Sequence, residues 1–179
     1  MTKSLPNETI RLRFRPLNLA DAHALFDFRS NKTNFPFVDM SIWDTVSQAN
    51  KYIEKIIAGH QNEDWYFYAL VLKSVEEMVG SITLWNFNSS KTCAEVGYSL
   101  FPKFQHQGYM HEALMELCDF GFKTLGLKTI IGYAQKDNLA SIQVLIQAGF
   151  HFRSDAVDID SQTNQELAMS VYAIDRTSI

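Results

Sequence analysis

Residues 9–14 alternate Ile10, Leu12 and Phe14 against Arg11 and Arg13, a period of two that predicts a half-buried strand. The period then lengthens. Ala22, Leu25, Phe26 and Phe28 recur at helical spacing behind Asn18 and Asp21, a capping-box-like start, so a helix is expected to about Ser30. Residues 31–44 form an aromatic-rich loop with Phe35, Pro36, Phe37 and Trp43. A second helix follows, with Ala49, Tyr52, Ile53, Ile56 and Ile57 on its apolar side and Gly59 as its stop. Residues 65–72 and 78–87 read as strands joined by a polar turn around 74–77, and 94–101 as the next strand.

A strand end, a turn and a long amphipathic helix then occupy residues 98–122. Pro102 donates no backbone N–H and pushes Phe101 toward extended geometry, which ends the strand. Met110, Leu114, Leu117, Cys118, Gly121, Phe122 and Leu125 fall on one face of the helix, and Glu112, Glu116, Asp119 and Lys123 on the other. Gly126 is a natural stop, 128–134 a strand, and 138–148 a short helix ended by Gly149. Phe150 and Phe152, then residues 167–174, read as closing strands around a polar loop from 155 to 166. The order βααβββαβαββ implies an α/β (α+β) architecture, a mixed and mostly antiparallel sheet with one strand–helix–strand unit in its middle. At 179 residues the chain, 1–179, is read as one domain with a full core.

Charge and cysteine usage narrow the function classes. A net charge of −4 and the lack of a basic stripe argue against a nucleic-acid surface and suit a neutral or cationic substrate better. No run reaches the ~18 apolar residues of a membrane span, and the first 17 residues show no apolar core of secretory type. Cys93 and Cys118 lack CxxC spacing, which suggests neither a disulfide framework nor zinc and fits reduced thiols in the cytoplasm. The five histidines lack ligand spacing, so no metal is implied.

Candidate chemistry begins at Gly108. A glycine turn at a helix N-terminus aims unpaired N–H groups and a partial positive charge at one spot, a ready site for phosphate. Asn138 is a good N-cap for the short helix, and Ser141 lies in its first turn. Glu95 shares a strand face with Gly97 and Ser99, opposite Val96, Tyr98 and Leu100. Tyr98 reads as packing, and Cys118, on the apolar helix face, as a small core residue. With no histidine fixed near Cys93, a covalent cysteine mechanism is disfavoured.

Four segments stand in order: Ala94-Glu95-Val96-Gly97-Tyr98, Gln105-His106-Gln107-Gly108-Tyr109-Met110, Asp137-Asn138-Leu139-Ala140-Ser141 and Ala148-Gly149-Phe150. Together they resemble the GNAT superfamily of acetyl-coenzyme A-dependent N-acetyltransferases, and within it the branch with the ribosomal-protein alanine N-acetyltransferases. The resemblance runs from Arg11-Leu12-Arg13-Phe14-Arg15-Pro16-Leu17 nearly to the chain end. It implies a sheet of about seven strands flanked by about four helices. It also implies acetyl-CoA as cosubstrate, with its pyrophosphate on the amides of Gln107, Gly108, Met110 and the first helical turn, Tyr109 included. Two strands are expected to splay apart, leaving Tyr98, Ser99 and Leu100 to bond the pantetheine arm, with Asn138 adding a side-chain contact. Ser141 would protonate the departing thiolate, and Glu95, on the acceptor side, would take the amine proton. The chain departs from the family loop in two places: Met110 fills a usually small position, and Gln107 stands where Lys or Arg is common.

These features imply direct acetyl transfer to a primary amine, with the α-amino group of a protein N-terminus as the leading acceptor. The aromatics of 31–44 and the loop bearing Asp155, Asp158, Asp160 and Glu166 would frame the acceptor's entrance. A small amine such as a polyamine, amino acid or drug amine is the first alternative, and a non-catalytic CoA-binding sensor the second. The expected assembly is a monomer or homodimer.

Overall fold

The computed structural model describes residues 5–176. Its strands are β1 (Leu12–Arg15), β2 (Tyr66–Leu72), β3 (Glu77–Trp85), β4 (Cys93–Leu100), β5 (Thr129–Gln135), β6 (His151–Ile159) and β7 (Glu166–Asp175). Its α-helices are α1 (Ala22–Arg29), α2 (Val46–Gln61), α3 (Tyr109–Lys123) and α4 (Leu139–Gln147). The chain order is the one expected from the pattern. The strands build one seven-stranded sheet in the order β1-β2-β3-β4-β5-β7-β6, antiparallel except where β4 and β5 run parallel.

Each face of the sheet carries its own core. Along β2, Tyr66, Tyr68, Leu70 and Leu72 pack toward α3 and α4 with Ile82, Leu84, Leu114, Leu117, Ile130 and Leu145. The alternate residues Phe67 and Ala69 pack toward α1 and α2 with Leu25, Trp43, Ala49 and Ile53. Burial on both faces explains why β2 reads as an unbroken apolar run.

Local departures from the sequence reading have physical causes. Asn18 and Asp21 do form a capping box, but over a 3-10 turn (Leu19–Asp21) that leads into α1. Ile10, expected inside, is exposed, because Thr9 bonds back to Leu12 and the strand begins only there. Gly59 does not stop α2. It lies inside the helix, and a Cβ there would sit 2.0 Å from the Trp65 ring, whose Nε1 donates to the Ile56 carbonyl at 2.9 Å. The expected polar loop from 155 is strand β6 as far as Ile159, paired with β7 from Ile159↔Glu166 to His151↔Ala173. As an edge strand it exposes nearly every side chain, so no two-residue alternation marks it. No helix among the described residues is long and apolar enough to cross a membrane.

Candidate active site

The strand pairing leaves an opening in the sheet. β4 and β5 are in register from Cys93↔Thr129 to Val96↔Gly132 and then part. Beyond that point β4 continues against β3 only, and β5 against β7 only. The Phe101 amide bonds the Val79 carbonyl, and Ser99 and Gly97 stand opposite Ser81 and Thr83. By antiparallel alternation, odd-numbered residues of β4 therefore bond β3, and the backbone groups of Tyr98 and Leu100 face the opening. Of the three positions carried over for the pantetheine arm, Ser99 does not turn its backbone there. Its hydroxyl meets that of Ser81 at 3.3 Å. The Leu100 carbonyl accepts from Gln105 Nε2 at 3.0 Å.

At the end of the opening the chain turns into α3 through Gly108, whose φ of +78° is costly for any residue with a Cβ. Among the described residues, the amides of Gly108, Tyr109 and Met110 meet no acceptor. Amides left open in this way at a helix start are able to bond an anion. Met110 fits because its side chain is buried in the α3-side core while its amide stays in the turn. Gln107 Nε2 donates to the Lys103 carbonyl, and the Gln107 carbonyl accepts from Arg11 Nη1 at 2.9 Å. Glu112, expected on a solvated face, is instead held by Arg11 Nε at 2.7 Å, the Arg11 amide at 2.8 Å and Thr9 Oγ1 at 2.5 Å.

Across the opening stands α4. Asn138 is its N-cap, accepting from the Ser141 amide at 3.1 Å. Ser141 Oγ lies 2.9 Å from the Tyr98 hydroxyl. Tyr98, read as packing, is thus also a polar partner of Ser141, and its position on β4 gave no signal for a contact made across the sheet face. Burial pushes the Tyr98 phenol up to about 12, although the hydrogen bond with Ser141 pulls the other way. Burial likewise pushes the Cys118 thiol up to about 12, so it is a thiol rather than a thiolate near neutral pH.

The other face of the sheet holds Glu95, directly opposite Trp85 on β3 and Ile131 on β5. Its carboxylate accepts from Asn86 Nδ2 at 2.6 Å and has no ion-pair partner among the described residues. Trp85 and Tyr133 are nearly half exposed on this same face. The indole nitrogen of Trp85 lies 3.7 Å from where a Gly97 side chain would begin, so the ring leans along β4 toward the opening. Burial raises the Tyr133 phenol, with the charge of Glu95 adding to it. Neither aromatic stood out in the sequence, where both read as ordinary strand residues.

The two loops expected at the entrance do meet. Asp39 accepts from the Ser161 amide at 2.8 Å and the Ser161 hydroxyl at 2.9 Å, and Gln162 Nε2 donates to the Met40 carbonyl at 3.0 Å. Gln135 Nε2, at the end of β5, donates to the Phe37 carbonyl at 3.0 Å. Asp155 stands away from this clasp on β6, paired with Lys136. Two recesses of about 350 and 560 Å³ flank α3, but neither is lined by Tyr98, Gly108 or Ser141.

Comparison with known proteins agrees with this geometry. The profile of the acetyltransferase (GNAT) domain matches residues 11–151. An uncharacterized N-acetyltransferase of Bacillus subtilis, YoaA, is 27% identical over 143 residues, 80% of this chain and 81% of that protein. Among solved structures, a putative ribosomal-protein-serine acetyltransferase from Vibrio cholerae superposes with a TM-score of 0.84 at 22% identity, covering 98% of this chain and 100% of that one. A spermidine N-acetyltransferase from Vibrio cholerae, in complex with CoA and spermine, superposes with a TM-score of 0.79 at 15% identity, covering 92% of this chain and 95% of that one. With the profile spanning most of its length and the mixed seven-stranded fold in place, the chain belongs to the GNAT family of N-acetyltransferases.

Proposed function

We propose that the protein transfers the acetyl group of acetyl-CoA to the α-amino group of a protein N-terminus by direct attack in a ternary complex. The observation that carries this reading is the opening between β4 and β5, with free amides at Gly108 at one end and the Tyr98–Ser141 hydroxyl pair beside it. The diphosphate of the coenzyme rests on the amides of Gln107, Gly108, Tyr109 and Met110. Its pantetheine arm bonds the backbone of Tyr98 and Leu100 and the side-chain amide of Asn138, whose oxygen is already taken by the cap.

The acceptor comes from the opposite face. An amine is largely protonated near neutral pH, and Glu95 takes that proton, directly or through a water. The freed nitrogen attacks the thioester carbonyl, and backbone N–H on β4 stabilises the developing oxyanion. The C–S bond then breaks: Ser141, with the Tyr98 hydroxyl hydrogen-bonded behind it, gives its proton to the leaving thiolate and is reprotonated by the second proton that the nitrogen releases as the amide forms. Holding both substrates in one frame supplies much of the rate. Under this reading the enzyme works in the cytoplasm with both thiols reduced.

The clasped loops leave an open face lined by Trp85, Tyr133 and Glu95, which suits a flexible chain end. The likeness to a ribosomal-protein-serine acetyltransferase supports the same choice. A small-amine acceptor is the second reading, favoured by the carboxylate of Glu95, which has no ion-pair partner among the described residues and shares its face with two aromatics, and by the likeness to a spermidine N-acetyltransferase. Purified protein, acetyl-CoA and separate panels of peptides and polyamines decide between them by mass spectrometry. Peptides acetylated at the α-amine are the expected products. Turnover on polyamines alone would replace the first reading with the second, and no thiol release on any panel would favour a CoA-binding sensor.

A further inference from the structure

Arg11 is the basic side chain that meets the Gly108 turn. Its Nη1 donates to the Gln107 carbonyl at 2.9 Å, its Nε to Glu112 at 2.7 Å, and its guanidinium carbon lies 4.4 Å from the centre of the Tyr109 ring. Its Nη2 comes within 3.4 Å of the point where a Gly108 side chain would begin. These contacts hold both ends of the turn, the peptide that enters Gly108 and the first turn of the helix that leaves it.

The Gln107–Gly108 bond is trans, so its carbonyl and its N–H lie in the peptide plane and point in opposite directions. Fixing the carbonyl on Arg11 therefore fixes the Gly108 N–H on the far side. The constraint matters because glycine is permissive and His106, two residues earlier, also has positive φ. A free turn of this kind can rotate the peptide and present a carbonyl where a donor is needed. A second effect is electrostatic. Glu112 puts a negative charge in the first turn of α3, where it would repel a phosphate, and the ion pair with Arg11 neutralises it.

We propose that Arg11 is a positioning residue for acetyl-CoA: it locks the Gln107–Gly108 peptide with its N–H toward the diphosphate and cancels the charge of Glu112 beside that site. This rests on the assignment of the Gly108 turn to the diphosphate. It gives a separate function to the residue just before β1, whose alternation with Arg13 reads as ordinary solvent exposure.

The test is a titration with two ligands that share the thiol arm, CoA and pantetheine, of which only CoA carries the diphosphate. Each is titrated into wild type, Arg11→Gln and Arg11→Lys by calorimetry or ligand-observed NMR, with the melting temperature of each variant recorded. Arg11→Gln should weaken CoA roughly tenfold, the scale of one charge-assisted hydrogen bond, and leave pantetheine within about twofold. Arg11→Lys keeps a charge without the bidentate reach, so its CoA affinity should fall between. Should Arg11→Gln fail to fold, the comparison of the two ligands on Arg11→Lys carries the test. Equal losses on both ligands, or an unchanged CoA affinity, would overturn the role. A wild type that binds no CoA would instead overturn the assignment of the turn, a different result seen before any variant is made.

Discussion

Tyr98 and Ser141 are 43 residues apart in the chain and 2.9 Å apart at their hydroxyls, on elements that border the opening. If Ser141 protonates the thiolate, Ser141→Ala should lower kcat by about a hundredfold, a general-acid contribution, with little change in CoA affinity. Burial keeps the Tyr98 phenol protonated up to about 12, so it cannot produce a descending limb in the pH–rate profile at lower pH. The profile should rise from the acid side and then stay level, and a descending limb lost in Tyr98→Phe would contradict this. Glu112 makes a prediction about stability. Burial opposes its charge, but hydrogen bonds from Thr9 and from the backbone and side chain of Arg11 outweigh that and hold its carboxyl below the usual range. A carboxyl depressed in the folded state stabilises the fold above its unfolded-state pKa, about 4.3, and that contribution is lost as pH falls through the lower folded value. Urea midpoints measured as pH falls from about 5 to 3 should decline more steeply in wild type than in Glu112→Gln.

At the scale of elements, legibility in the sequence followed the reach of the interactions. The helix behind Gly108 could be read because its stripe, its turn glycine and Pro102 all act within a few residues of each other. Asn138 as a cap was legible for the same reason. Gly59 reads locally as a stop because the Trp65 ring that requires a glycine there arrives only when the chain folds back. Gly59→Ala should therefore destabilise the protein by about 1–3 kcal/mol through overpacking, although alanine is the better helix former. Urea unfolding checks the sign, and a stabilised variant would show that Trp65 yields easily. The loop 31–44 has a similar hidden anchor. Arg29 is buried, its guanidinium stacks 4.3 Å from the Trp43 ring centre, and its Nη2 donates to the Ser41 carbonyl at 2.8 Å. Burial holds its pKa below the usual value. Arg29→Met should loosen this loop and raise KM for the acceptor while leaving KM for acetyl-CoA unchanged, and an equal rise in both would place Arg29 outside the entrance.

Across the whole molecule, the sheet divides the chemistry between its faces. Tyr98 and Ser141 lie on the α3 and α4 side, Glu95 with Trp85 and Tyr133 on the other, and the parting of β4 from β5 joins them. The order of elements and the four segments between Ala94 and Phe150 pointed to this frame, since each is a local signal in the right sequence. The cross-sheet hydroxyl pair, the Arg11–Glu112 link and the Asp39–Ser161 clasp did not appear, because each joins residues 43 to 122 positions apart. The central claim is that the coenzyme threads this parting with its diphosphate at Gly108. Backbone amide NMR during a CoA titration tests it most directly. Saturable shifts are expected at Gly108, Tyr109, Met110, Tyr98 and Leu100, with the Asp39–Ser161 clasp unmoved. No saturable shift, or shifts confined to residues away from β4 and the N-terminus of α3, would contradict it.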